Sequence, residues 1–455
     1  MRPPIRLTVI GTGYLGATHA ACLAELGFDV LGVDNDPEKV SLLSRGIVPF
    51  AEPELGELLE RHTRSGRLRF TTELREAAAF ADLHFVCVGT PQSAAGLAAD
   101  LTAVRTVVRG VAASATRDFL IIGKSTVPVG TAQELALDLA ARVAPGVNPA
   151  VAWNPEFLRE GHGVQDTLHP DRLVFGVSTP EAELALRQIY EVPIASGVPV
   201  HVTDLATAEL AKVAANTFLA TKISFINAMA EVSDASGADV VALADILGDD
   251  SRIGRRFLDA GIGFGGGCLP KDIRAFAARA TSLRAPSVAR LCHEVDAINL
   301  AARARPVAMA KEVLGSVRGR RIAVLGASFK PFSDDVRDSP ALHAASQLQQ
   351  QGAHVRVYDP EASLNARAVA PALTYVASIR AALARADLVL HLTDWPEFAE
   401  IDPTWAAGLV SGLQIIDGRN KLDAESWRRA GWTFRGIGRG ERATEPVPRL
   451  VPHST

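Results

Sequence analysis

Short apolar runs alternate with longer stretches of helical periodicity along most of this chain. Leu7 to Gly11 reads as a strand, Ala17 to Leu26 as an alanine-rich helix, and Asp29 to Val33 as a second strand ending at Asp34. Ala81 to Val88 gives a third strand. Late in the chain Arg321–Gly326, Val355–Asp359 and Ala386–Thr393 repeat that order as a degenerate internal copy. Strands alternating with helices predict parallel, doubly wound sheets, hence an α/β protein with two such domains. Between the copies, Thr203 to Ser236 contains no glycine and no proline. That segment predicts one long helix or a helix pair, opened by Thr203 or Asp204 as N-cap and stopped at Gly237. The division that follows is 1–202, a central helical segment 203–300, 301–439, and a tail 440–455. The tail carries three prolines and no periodicity, so it reads as disordered.

Glycine spacing gives the first repeat a chemistry. Gly11-Thr-Gly13-Tyr-Leu-Gly16 joins the first strand to the first helix, and Asp34 follows about 20 residues on, which completes the dinucleotide fingerprint. Gly11 allows the tight turn, Gly13 lets backbone approach a pyrophosphate, and Gly16 permits close packing of helix on strand. The helix N-terminus then faces the phosphates. Asp34 suits a ribose 2′-hydroxyl and repels a 2′-phosphate, so NAD is expected over NADP. The alternative is a doubly wound domain that binds no nucleotide. The late repeat has Gly326-Ala-Ser-Phe-Lys330-Pro331 in place of the fingerprint and should hold something other than a dinucleotide. The expected fold is therefore two Rossmann-like doubly wound domains joined by a long central helical segment.

A second constellation is Gly263-Phe-Gly-Gly-Gly-Cys268-Leu-Pro-Lys271-Asp272. Glycines remove side chains, so a substrate could approach the sulfur closely, and nearby cations favour the nucleophilic thiolate. A glycine turn around a buried, inert cysteine is the competing reading. On the long helix, Glu209, Lys212 and Asn216 fall on one face, which for three polar residues reads first as a solvated stripe. That helix also offers a dimer surface, because it cannot bury its whole apolar face against its own chain.

Composition narrows the class. The chain has 455 residues, 48% hydrophobic, with a formal net charge of −4, which gives no reason to expect nucleic acid as a partner. No apolar run approaches a membrane span, and the N-terminus lacks a secretory apolar region. The four cysteines, Cys22, Cys87, Cys268 and Cys292, have no C-x-x-C spacing; no metal site is expected, and a reducing, cytoplasmic setting fits.

From Met1 to about Arg439 the chain resembles the nucleotide-sugar dehydrogenases of the UDP-glucose/GDP-mannose 6-dehydrogenase family. Beyond the two segments above, the resemblance rests on Val88–Pro91, Lys124-Ser-Thr-Val-Pro-Val-Gly130, Asn154-Pro-Glu-Phe-Leu-Arg-Glu-Gly161, Leu325–Pro331 and Asp334–Pro340, in that order. It implies NAD-dependent, four-electron oxidation of a sugar C6 alcohol to a carboxylate, with UDP-glucose giving UDP-glucuronate. GDP-mannose and N-acetylated UDP-sugars are the alternatives in the class; a silent NAD-binding regulator or a two-electron hydroxyacid dehydrogenase are those outside it. Cys268 would form a thiohemiacetal and then a thioester, with Lys212 stabilising oxyanion charge and Asn216 orienting substrate or water. Asp272 and Thr126 would hold a catalytic water. Glu160 would be the base for thioester hydrolysis, supported by Glu156.

By the same resemblance the cofactor contacts are Gly11, Gly13, Tyr14, Leu15, Gly16, Asp34, Lys39, Thr90, Thr126, Glu160, Lys271 and Arg337. The UDP-sugar contacts are Phe157, Leu158, Lys212, Asn216, Phe264, Gly265, Phe329, Lys330 and Arg419, together with Arg252 reaching in from the second subunit of a homodimer. For Arg252 and Arg419, surface ion pairs are the other reading. Two departures stand out. Leu269 replaces an aromatic common after the cysteine, leaving the sugar nucleotide open. Ala228 follows Asn227 where a glutamate is common, a change expected to touch helix packing or a dimer contact.

Overall fold

The protein is described from a computed structural model covering residues 5–94 and 96–440, so the proline-bearing stretch 441–455 lies outside the described residues. Its first sheet contains β1 (Arg6–Ile10), β2 (Asp29–Val33), β3 (Leu68–Thr71), β4 (Leu83–Val86), β5 (Phe119–Gly123), β6 (Pro149–Trp153), β7 (Leu173–Gly176) and β8 (Val200–Thr203). They lie in the order β3-β2-β1-β4-β5-β6-β7-β8. Neighbours run parallel except at one place: β7 enters antiparallel to β6 through the single pair Trp153–Gly176. The all-parallel expectation thus fails at this edge, where β7 and β8 form a parallel pair of their own. The second sheet contains β9 (Arg321–Leu325), β10 (His354–Tyr358), β11 (Thr374–Tyr375), β12 (Leu388–His391), β13 (Gln414–Asp417) and β14 (Thr433–Gly436). Its order, β11-β10-β9-β12-β13-β14, is parallel throughout and reverses direction on either side of β9, as a doubly wound fold requires.

Both sheets are covered on both faces, which is why their strands read as continuous apolar runs. Along β1, Leu7 and Val9 enter one core with Ala17 and Ala20 of the first helix, while Ile10 enters another with Val104 and Val108. Along β9, Ile322 and Val324 face one core and Ala323 and Leu325 the other. Two compact units result. One comprises the chain up to Phe218 with Gly267–His293 and Phe332–Asp334; the other comprises Leu219–Gly266, Glu294–Pro331 and the chain from Asp335 on.

The glycine- and proline-free segment is a single helix, Leu205–Ser236. Asp204 caps it, its carboxylate accepting the Thr207 amide at 2.8 Å, and Gly237 ends it at φ +76°. Asn227 on this helix accepts the Gly261 amide at 2.8 Å.

The fingerprint glycines are explained by space. A Cβ on Gly16 would lie 1.7 Å from the Gly11 carbonyl oxygen, so the first helix (Tyr14–Glu25) can approach β1 this closely only without a side chain there. Gly16→Ala is expected to lower stability by about 1–3 kcal/mol through backbone displacement. Thermal unfolding measures it, and an unchanged melting temperature would show that the turn relaxes without strain.

Candidate active site

At the end of β1 the chain turns through Gly11, at φ +92°, into the Tyr14–Glu25 helix, whose first turn has no side-chain cap. Its leading amides are therefore open to an anion. Nothing lies within 4 Å of where a Cβ on Gly13 would be, so backbone is open to a ligand there. Asp34 closes β2 and is buried. It accepts the Thr12 amide at 2.8 Å and hydroxyl at 3.0 Å, and Lys39 Nζ lies 3.1 Å from it. Burial alone would raise the Asp34 carboxyl, but the Thr12 and Asp36 amides and Lys39 outweigh it and hold it below its ordinary value. Leu15 packs at the edge of the core, and Tyr14 stacks near Phe50 and donates to Asp334.

Among the four cysteines, only Cys268 is exposed. It precedes the Leu269–Ser282 helix, which opens with Pro270 in its first turn. Four ionisable side chains act on its thiol: Glu156, Asp272, Lys212 and Glu160. Lys212 Nζ meets Glu156 Oε1 at 2.9 Å, and the other oxygen of Glu156 accepts the Leu158 amide at 2.8 Å. Asn216 donates to Asp272 at 2.7 Å, and Lys271 Nζ reaches the same carboxylate at 2.5 Å.

The helix face read as a solvated stripe is buried instead: Glu209, Lys212 and Asn216 are 1%, 6% and 7% exposed. Lys212 and Asn216 serve the cysteine cluster. Glu209 accepts the Gly130 and Ala132 amides, both at 2.6 Å, at the start of the Thr131–Ala140 helix. Burial pushes Glu209 up to about 7 against those amides.

The expectation that cations hold Cys268 as thiolate is also overturned. Desolvation of the sulfur, followed by the Glu156 and Asp272 carboxylates, pushes the thiol up to about 12, with Lys212 opposing them. Burial would lower Lys212, but Glu156, Cys268 and Asp272 raise it above its ordinary value. The resting site therefore holds a neutral thiol beside a charged lysine.

Beside Asp272 lies a small cavity of about 10 Å³, lined by Thr90, Thr126, Val127, Val213 and Lys271. It has room for about one water. Thr90 donates to the Thr126 carbonyl at 2.7 Å and fixes that wall. Phe157 has the Arg172 guanidinium 3.8 Å from its ring centre and Lys212 Nζ at 5.5 Å.

The second unit gathers another group of the sequence-derived residues. Arg419 is not a surface ion pair: Nε donates to the Leu392 carbonyl at 2.7 Å, and its terminal nitrogens reach the Gly263 and Phe329 carbonyls at 3.2 and 3.3 Å. Phe264 is buried, its amide donating to Asn299 at 2.8 Å, and a Cβ on Gly265 would meet the Asp338 carbonyl at 2.4 Å. These glycines serve close backbone packing as well as access. Lys330 Nζ sits 5.4 Å from the Phe329 ring centre, and Arg337 chelates Asp335. Arg252 is exposed and paired with Asp250 at 2.5 Å.

Sequence reasoning missed the supports of the Asn154–Gly161 loop. Glu52 accepts the Gly161 and Gly163 amides at 2.8 and 2.7 Å, and Lys124 with Tyr190 grips Asn154. Lys124 lay inside a quoted motif without a role, and Glu52 and Tyr190 sit in stretches with no motif at all.

Three family models match the chain: the NAD binding domain of the UDP-glucose/GDP-mannose dehydrogenase family over residues 5–194, its central domain over 206–301, and its UDP binding domain over 323–424. UDP-glucose 6-dehydrogenase TuaD of Bacillus subtilis is 41% identical over 98% of this chain and 96% of its own. A UDP-glucose dehydrogenase structure from Pyrobaculum islandicum matches with TM-score 0.89 and 38% identity, over 96% of this chain and 98% of that one. A UDP-D-ManNAc dehydrogenase structure from Pyrococcus horikoshii matches with TM-score 0.84 and 28% identity, over 96% of this chain and 100% of that one. Among the described residues no helix is long and apolar enough to cross a membrane.

The carboxylates should govern thiol reactivity. Iodoacetamide should alkylate Cys268 slowly at neutral pH and faster as pH rises. Glu156→Gln should accelerate alkylation at pH 8 by about tenfold, because losing one close like charge lowers a pKa by about one unit. Lys212→Met should slow it. Equal rates in all three proteins would remove the carboxylates from control of the thiol.

Proposed function

The chain belongs to the UDP-glucose/GDP-mannose dehydrogenase family and is an NAD-dependent nucleotide-sugar dehydrogenase, and we propose that it oxidises UDP-glucose at C6 to UDP-glucuronate through a cysteine thioester. One observation carries this reading: Cys268, the exposed cysteine, has Lys212, Glu156, Asp272 and Glu160 acting on its thiol, a nucleophile with an oxyanion cation and carboxylates close by.

The open Gly13 backbone, the uncapped helix N-terminus and the Asp34 carboxylate fit NAD, with pyrophosphate at the helix and ribose at Asp34. Each oxidation removes a hydride from C6, for which NAD is the acceptor when bound. In the first, a water held between Asp272 and Thr126 takes up the C6 hydroxyl proton. Cys268 Sγ then adds to the aldehyde carbon; a C–S bond forms, the thiol proton leaves and the former carbonyl oxygen gains one. Lys212 stabilises negative charge on that oxygen. Loss of the second hydride, with the hydroxyl proton passing to the water beside Asp272, leaves a thioester. Glu160 takes a proton from an attacking water, the C–S bond breaks, and the sulfur regains its proton as the carboxylate departs. A thiol neutral at rest suits this sequence, since it can lend its proton to the addition step.

Its family domain at residues 323–424 supports a UDP-sugar substrate. Leu269 stands in apolar contrast to the aromatic that is common there, which leaves N-acetylated UDP-sugars and GDP-mannose for the assay to separate. A homodimer is supported by the central helix, where Leu210, Phe218, Phe225 and Val232 are 42%, 66%, 46% and 57% exposed. Their near-heptad spacing forms one apolar stripe, which a second copy of the helix would cover. The division 1–202, 203–300 and 301–439 into cofactor, dimerisation and UDP-sugar parts belongs to the same proposal, with Arg252 serving the partner's site. Four free cysteines fit a reducing compartment such as the cytoplasm.

NADH release should be followed across UDP-glucose, GDP-mannose and N-acetylated UDP-sugars. UDP-glucose is expected to give the highest kcat/KM and two NADH per sugar. Cys268→Ala should lose at least about a thousandfold in acid formation, as nucleophile deletions do, while Cys22→Ala and Cys87→Ala keep the stoichiometry. One NADH per sugar would overturn the thioester route, and a higher kcat/KM for another sugar would overturn the substrate.

A further inference from the structure

Behind the cysteine cluster a lysine is buried with no carboxylate bound to it among the described residues. Lys124, at the end of β5, is 7% exposed. Its ammonium donates to the Asn154 side-chain oxygen at 2.9 Å, to the Asn154 carbonyl at 3.4 Å and to the Tyr190 hydroxyl at 3.2 Å. The rings of Phe85 and Tyr190 lie 5.9 and 5.7 Å away. Tyr190 also donates to the Asn154 side-chain oxygen at 2.6 Å, and the Asn154 amide nitrogen of the side chain donates to the Val174 carbonyl at 3.0 Å. A buried cation held by neutral groups alone is costly, so its charge needs a use.

That use lies two residues along the chain. Asn154 begins the loop whose third residue, Glu156, pairs with Lys212 beside Cys268. The ionisable groups acting on Lys124 are Glu156 on the loop, Cys87 after β4 and Lys212 on the central helix, with Tyr190 and His19 alongside. His19 and Tyr190 are held neutral by burial, and so is Cys87. Glu156 is the carboxylate in that set.

We propose that Lys124 is a positioning residue for this active site: through Asn154 it fixes the loop that presents Glu156 to Lys212, and it supplies that loop with a buried positive charge. The proposal rests on the reading of Cys268, Lys212 and Glu156 as the reacting cluster. Burial, opposed by Cys87 and Glu156 and reinforced by Lys212, lowers Lys124 to about 8. Lowered below its ordinary value, the lysine is cationic below that pH and neutral above it, so its support is lost as pH rises through about 8.

Steady-state kinetics with UDP-glucose and NAD from pH 6 to 10 give the first test. Wild-type kcat should fall along an alkaline limb near pH 8. Lys124→Met should lower kcat at pH 7 at least tenfold, keep KM for UDP-glucose within threefold, and abolish that limb. Tyr190→Phe, which keeps the ring, removes one acceptor from the ammonium and should move the limb to lower pH with KM unchanged. Retention of kcat within twofold by Lys124→Met, or an unmoved limb in Tyr190→Phe, would overturn the proposal. A second readout stands apart from catalysis: NMR titration of lysines labelled with carbon-13 at Cε. One resonance titrating near pH 8 and missing from Lys124→Met is expected; titration of Lys124 with the bulk lysines overturns the proposal whatever the NADH stoichiometry.

Discussion

The Lys212–Glu156 ion pair, 2.9 Å between charged atoms and almost fully withdrawn from water, is the contact on which the reacting cluster depends. Without it Lys212 would be a buried cation and Glu156 a buried carboxylate, each an uncompensated charge near the thiol. Paired, they present the thiol with one near cation and several near carboxylates. The sulfur consequently rests protonated and becomes nucleophilic as its proton leaves. The helix N-terminus at Cys268 and the Lys212 ammonium are not enough to reverse this against the packing and the two carboxylates.

The doubly wound architecture was legible because its signal is local. Strand, glycine turn, helix and acid succeed one another within a few tens of residues, and each glycine answers a space that the fold closes, as Gly16 does against Gly11. Asp204 and Gly237 likewise marked the ends of the central helix by their own chemistry. What stayed hidden was environment. Three polar residues on a helix face look the same in sequence whether water or carboxylates meet them, and only long-range packing buries Glu209, Lys212 and Asn216. The antiparallel entry of β7 was hidden too, because an apolar run does not carry its direction. Glu52 and Tyr190 act through backbone amides and an asparagine far away in sequence, which no spacing rule reports.

The two sheets repeat one device with different outcomes. Asp34 lashes Thr12, in the turn after β1, through amide and hydroxyl; Asp359 lashes Ser328, in the turn after β9, in the same way, at 2.9 Å for each. In the first sheet the carboxylate keeps Lys39 beside it at a half-open edge. In the second, Trp395 donates to Asp359 at 3.2 Å and closes over it. In the second sheet this acid has become part of the core while the winding is retained.

Glu209 has a mechanical meaning beyond capping. It stands one turn before Lys212 on the central helix and clasps the amides of Gly130 and Ala132, a few residues after Thr126. Helix and turn are thereby coupled like parts on a common shaft: a rotation of the helix that shifted Lys212 would drag the wall carrying Thr126 with it. Burial raises that carboxyl while the two amides oppose it, so the clasp is made at the cost of withdrawing a carboxylate from water.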